Sequence, residues 1–201
     1  MKESRRLLIT LTLIAAGAGM LLSLVESATR EPIATQRSLQ QQKAIAAVLP
    51  EFNNHPDQDV ISLEIGQDKK GQPIMRRFFR ASLEGKPVGV AFKVTALDGY
   101  SGNIDIMVGL DNNDQISGIE ILAHTETPGL GSKITEPWFK NIFRQRSLEN
   151  TDWRVKKDGG DIDQITGATI SPRAVVNAIR SGLDFFHRHR QQITRSQGTS
   201  S

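Results

Sequence analysis

Residues 104–123 read IDIMVGLDNNDQISGIEILA. Two runs rich in β-branched and aliphatic residues, Ile104 to Leu110 and Ile116 to Ala123, flank Asp111-Asn112-Asn113-Asp114, a polar turn sequence. Alternating apolar residues on either side of such a turn predict a β-hairpin, and hence an antiparallel pair. Upstream, Val88 to Ala96 puts Val88, Val90, Phe92 and Val94 at strand spacing on one face. Val60 to Ile65 and Ile74 to Leu83 are two more strands, joined by the turn Lys69-Lys70-Gly71. Downstream the period changes. Pro137 to Phe143 (PWFKNIF) reads as a helix with Thr135 as its cap. A stronger helix starts at Pro172, with Ser171 placed to cap it and Val175, Val176, Ile179, Leu183 and Phe186 as its apolar stripe. The fold class expected is α+β, a mainly antiparallel sheet with flanking helices, over residues 59–190. Arg188, Arg190 and Arg195 complement the helix C-terminus, and residues 191–201 are expected as a disordered tail.

Ahead of this domain, Leu7 to Val25 (LLITLTLIAAGAGMLLSLV) carries no charge. As a helix it spans roughly 28 Å, close to the hydrocarbon thickness of a bilayer. Lys2, Arg5 and Arg6 precede it, so the positive-inside bias predicts a single-pass anchor with residues 1–6 in the cytoplasm and the rest exported. A cleaved signal peptide is the competing reading; Val25-Glu26-Ser27 is a poor cleavage site for one. Residues 26–58 are expected as a helical linker, with a helix from Ser38 to Leu49 that Pro50 ends and a loop at 51–58.

Composition narrows the chemistry. The 201 residues contain no cysteine, which excludes thiolate nucleophiles, disulfides and cysteine-ligated metal clusters. The four histidines are scattered: His55 beside Pro56, His124 in a loop, His187 and His189 in a basic tail. Net charge is only +3 and no basic stripe carries interleaved aromatics, so no nucleic-acid partner is expected. Redox chemistry here requires a bound organic cofactor.

Two segments carry the site. In Asp163-Gln164-Ile165-Thr166-Gly167-Ala168-Thr169, Gly167 and Ala168 leave room for a large group, and Thr169 stands just ahead of the strong helix. The unpaired amides and positive dipole end of a helix start favour an anion such as phosphate. An isolated hydroxyl in that position serves equally well to bond a neighbouring amide. The second segment, His124-Thr125-Glu126-Thr127-Pro128-Gly129-Leu130-Gly131, is a tight loop after a strand. It reads as a plain turn or as a wall that admits a flat ring against the backbone. Tyr100, in Asp98-Gly99-Tyr100-Ser101-Gly102, reads either as part of the same pocket or as an ordinary turn tyrosine.

H-T-E-T-P-G-L-G paired with D-Q-I-T-G-A-T, behind one membrane helix, resembles the FMN-binding domain family, over essentially the whole chain. Within it the resemblance is closest to the G subunits of Rnf (Rsx) ion-translocating electron transport complexes. The C subunits of sodium-translocating NADH:quinone reductases share both motifs but are usually longer. The resemblance implies one FMN esterified through its phosphate to Thr169, made by a flavin transferase that uses FAD and magnesium. Asp163, Thr166, Gly167 and Ala168 match the rest of the pattern that transferase reads. His124, Glu126, Thr127, Pro128, Gly129, Leu130 and Gly131 would lie by the flavin, His124 and Glu126 as polar groups that tune it. The implied role is a covalent-flavin electron carrier in the bacterial inner membrane with its domain in the periplasm. Its partners would be the other subunits of an Rnf-type complex that couples ferredoxin and NAD to ion movement. A membrane-anchored flavin-binding regulatory module is the alternative class, for which 201 residues leave no signalling domain.

Overall fold

The structure, a computed structural model, describes residues 2–195. One helix, α1 (Lys2–Val48), runs through the whole N-terminal stretch. Among the described residues it is the one helix long and apolar enough to cross a membrane, and the apolar part is unburied. The apolar anchor helix and the helix expected from Ser38 to Leu49 are one continuous helix, with the polar residues between them helical too. Ala, Gln, Arg and Leu from 34 to 47 favour helix, and no glycine interrupts them. The hydroxyls of Thr29 and Thr35 bond back to the carbonyls of Val25 and Glu31, at 2.8 and 3.1 Å.

Residues from Gln42 onward form a compact unit of their own. Five antiparallel strands follow in chain order: β1 (Val60–Gln67), β2 (Pro73–Leu83), β3 (Lys86–Ala96), β4 (Ile104–Asp111) and β5 (Ile116–Ala123). Each expected strand is present, and the sheet is a simple meander. Val88 differs from expectation. Ala81 pairs with Gly89 but Ser82 with Pro87, so Val88 is the extra residue of a bulge. It packs with the opposite cluster from Val90, Phe92 and Val94.

The larger core lies under α3 (Ile170–Thr194), whose Val175, Val176, Ile179, Leu183 and Phe186 are buried as the stripe predicts. Phe186 stacks on Phe92 at 6.1 Å, and Phe92 meets Phe78 at 5.3 Å. α3 continues through 191–194, four residues of the tail expected to be disordered; residues 196–201 lie outside the described residues. The other sheet face takes the last turns of α1. Ala44, Ile45, Val48 and Leu49 pack against Phe79, Ala81, Ala91 and Met107. These residues were expected in a linker, yet they are core. The seat exists because β4 carries Gly109: a Cβ there would lie 2.1 Å from the Val48 carbonyl oxygen. That carbonyl accepts the Ser117 hydroxyl at 2.5 Å, which satisfies an otherwise orphaned helix-end acceptor. Beyond β5 a short 3-10 turn (Gly131–Thr135) leads to α2 (Pro137–Asn141). Thr135 is not its cap: it ends the 3-10 turn, its hydroxyl donating to Ser132, and Glu136 holds the cap position.

Candidate functional site

The loop that leaves β5 folds back on itself at once. Nδ1 of His124 accepts the backbone N–H of Glu126 at 3.2 Å. Thr127 then receives the N–H groups of Leu130 and Ser132, each at 3.2 Å, and closes the turn over Pro128 and Gly129. Glu126 is the buried polar centre of this loop, only 4% exposed. One carboxylate oxygen accepts the Ser101 N–H at 3.0 Å, and the other accepts the Ser171 hydroxyl in a short hydrogen bond. A single side chain thus joins the β3–β4 loop, the β5 loop and the first turn of α3. Gly131 makes room for the join, since a Cβ there would sit 2.5 Å from Ser171 Oγ and 2.6 Å from Glu126 Oε2.

The second segment approaches from the other side. Asp163 is exposed and paired with Lys156 at 2.7 Å. Ile165 is buried, and the Ala168 N–H returns to its carbonyl at 3.0 Å, closing a turn over Thr166 and Gly167. Gly167 holds φ +82°, which an L side chain would adopt only with strain. Thr169 follows as the residue just ahead of α3, half-buried, with helical φ −88° and ψ −29° and no capping hydrogen bond from its side chain. Ser171 was expected to be the cap. The helix instead begins at Ile170, and Ser171, fully buried, donates to Glu126. The local capping pattern points to the right helix start within two residues but gives Ser171 the wrong partner, because Glu126 lies 45 positions away.

The two segments meet around a cavity of about 390 Å³. Glu126, Thr127, Leu130 and Gly131 form one wall; Gly167, Ala168 and Thr169 form the other, with Ile170 and Ser171 of α3. Tyr100 from the β3–β4 loop completes it. His124, Pro128, Gly129, Asp163 and Thr166 do not line it. His124 braces the loop and Asp163 braces the 156–163 segment, while Thr166 stands exposed on its turn. Among the lining residues, Ile170 and Ser171 are not marked as site residues by the sequence, which also leaves Tyr100 open between pocket and turn. Ile170 carries a usable signal: a large aliphatic residue at the helix start that falls outside the buried stripe.

The chemistry this arrangement favours follows from its parts. The mouth is apolar and open, with Tyr100, Leu130 and Ile170 at 67%, 46% and 45% exposure. Such a rim suits a flat, partly apolar ring better than a small polar metabolite. At the start of α3, the Ile170 and Ser171 amides are first-turn donors with no partner one turn earlier, and Pro172 has none to lose. One turn further, Arg173 holds Asp158 at 2.6 Å; that hydrogen bond keeps the Asp158 carboxyl below its ordinary range. No cluster of His, Asp and Glu among the described residues has the arrangement to hold a metal.

Known proteins resemble this chain over most of its length. Residues 99–184 match the FMN-binding domain family, a span that contains every cavity-lining residue. The G subunit of the ion-translocating oxidoreductase complex from Yersinia pestis is 38% identical over 97% of the chain and 96% of that relative. The protein of the same name in Escherichia coli K12 is 42% identical over 91% of each. Among solved structures, Shewanella oneidensis NqrC matches in fold at TM-score 0.59, covering 81% of this chain and all of that one, at 17% identity. The C subunit of the Na(+)-translocating NADH-quinone reductase from Parabacteroides distasonis gives a TM-score of 0.52 over 80% of this chain and 94% of that one, also at 17% identity. With 38–42% identity to the former pair over nearly its full length, the chain belongs to the family of ion-translocating oxidoreductase complex G subunits.

Proposed function

We propose that this protein is the FMN-bearing electron-transfer subunit of a membrane-bound, Rnf-type ion-translocating complex, with FMN joined through its phosphate to Thr169. The observation that carries the reading is the position of Thr169. It stands at the start of α3, uncapped, on the wall of a cavity that both sequence motifs build. In the proposed maturation a flavin transferase uses FAD. The Thr169 oxygen bonds to the phosphorus of the FMN half, the pyrophosphate bond breaks, AMP leaves, and the hydroxyl proton passes to the transferase. The product phosphodiester keeps about one negative charge, which the helix start stabilises by roughly 0.3–2 kcal/mol. So small a contribution would not retain a flavin against dilution, whereas a covalent bond does.

The bound flavin exchanges one or two electrons, the property a carrier between unlike donors and acceptors needs. In this chain Glu126 and Gly131 shape the wall, Thr127 and Ala168 lie beside it, and Leu130 and Ile170 supply apolar edges. Asp163 and Thr166, away from the cavity but exposed, suit recognition by the transferase. The charge bias of Arg5 and Arg6 ahead of the apolar helix supports an inner-membrane anchor with the N-terminus cytoplasmic and the domain periplasmic. The proposed partners are the other members of the complex and, during maturation, the transferase. Between the G-subunit and C-subunit readings, identity of 38–42% to the former against 17% to the latter favours the former.

The test is intact mass on protein matured with its transferase. The expected gain is that of one FMN less one water, located by peptide mapping on the fragment containing Thr169. Polypeptide mass alone would end the proposal. Thr169→Ala should abolish the adduct while changing stability by no more than about 0.5 kcal/mol, since its side chain makes no capping bond.

A further inference from the structure

We propose that Tyr100 is a flavin-contacting residue, presented over the mouth of the cavity by a loop clipped in place for that purpose. The inference rests on the FMN reading above and extends it to a residue outside both motifs. Tyr100 is the only tyrosine in the chain. It lines the cavity yet is 67% exposed, more than any phenylalanine or tryptophan among the described residues. A large ring left in water on a short loop contributes little to the core, so its placement needs another account.

The loop under it, between β3 and β4, is held at several points. The Ser101 N–H donates to Glu126 at 3.0 Å, and the Ser101 carbonyl accepts the Thr125 hydroxyl at 2.9 Å. On the other flank of the tyrosine, Gly99 packs so closely that a Cβ would fall 2.2 Å from the Gly102 carbonyl oxygen and 2.8 Å from Glu126 Oε1. Ser101 is therefore bonded to the β5 loop and Gly99 packs closely against it, while the ring itself stays uncovered. Through Glu126, the same carboxylate also holds Ser171, two residues from Thr169. The proposed attachment point and the proposed aromatic cover thus share one anchor, which presets their separation before any flavin is present. An aromatic ring so presented fits offset stacking on an isoalloxazine ring.

The consequence is optical as well as structural. A phenol in van der Waals contact with an excited flavin quenches it, by passing one electron to the excited ring and receiving it back. The experiment uses full-length protein matured with its transferase, in detergent, as wild type and as Tyr100→Ala, Tyr100→Phe and Trp138→Phe. Intact mass first establishes equal flavin loading. Fluorescence yield and quenching by added iodide are then measured. Tyr100→Ala is expected to brighten the flavin several-fold and open it to iodide. Tyr100→Phe keeps the ring but not the easily oxidised phenol, so it should brighten while retaining the wild-type iodide protection. Trp138→Phe should leave both readouts unchanged, since Trp138 does not line the cavity. Loaded Tyr100→Ala with wild-type brightness and iodide access would overturn the Tyr100 contact alone, as would brightening by Trp138→Phe in place of Tyr100→Phe. Absence of any adduct in the wild type would overturn the flavin reading and this inference together.

Discussion

Glu126 is where a single substitution reaches furthest. Its two oxygens take donors from Ser101 and Ser171, groups on the β3–β4 loop and in the first turn of α3. Removing an acceptor from a buried site leaves donors unsatisfied, at about 1–3 kcal/mol. Glu126→Ala is therefore expected to lower stability by that amount in a denaturant titration, with Glu126→Gln, which keeps an acceptor and a matching polar shape, losing less. An exposed ion pair behaves differently. Arg173 holds Asp158 by a side-chain hydrogen bond and lowers its pKa. A carboxyl with a depressed folded-state pKa contributes stability above its unfolded pKa and loses it as pH falls through the folded value. The pair is exposed, so the contribution is small. Asp158→Asn should narrow the difference in Tm between about pH 7 and about pH 3, a window that brackets an ordinary aspartate pKa. An unchanged difference would mean the pair does not persist in solution.

At the scale of elements, legibility in the sequence follows the range of the forces involved. The five strands can be read because each alternates within itself and is bounded by turn residues. The α3 stripe can be read for the same reason, and Ile179→Ala, in a fully buried site, is expected to cost about 2–5 kcal/mol by chemical denaturation. What cannot be read depends on a second element. Val88 looks like a partner of Val90 until the shift between Ala81 and Ser82 moves it to the other cluster. Ser171 looks like a cap until Glu126 takes its hydroxyl. The residue types of the site are legible, and seven of the twelve candidates line the cavity: Glu126, Thr127, Leu130, Gly131, Gly167, Ala168 and Thr169. The other five fall outside for reasons no one-dimensional pattern encodes: His124 bonds its own loop, Pro128 and Gly129 lie in the turn that Thr127 closes, Asp163 pairs with Lys156, and Thr166 stands in solvent.

For the whole molecule, the telling boundary is the one between anchor and domain. A polar composition after Val25 suggests a linker up to residue 58, but the compact unit begins at Gln42, and Ala44, Ile45, Val48 and Leu49 are core. The reason lies in strands far along the chain: Gly109 and Gly118 leave the space that Val48 fills, and neither glycine announces this locally. The consequence is a sharp dependence on where the chain is cut. A fragment starting at Gln42 retains the apolar residues that cover Phe79, Ala81, Ala91 and Met107, and it should unfold cooperatively near the midpoint of the full-length protein. A fragment starting at Asp59, at the boundary the sequence suggests, loses four buried apolar side chains and uncovers that sheet face. At about 1.5–3 kcal/mol for each large aliphatic residue removed, the loss rivals the entire stability of a small domain. The shorter fragment is expected to be aggregated or molten by near-ultraviolet circular dichroism. Equal midpoints for the two fragments would mean that the end of α1 rests on the sheet without stabilising it.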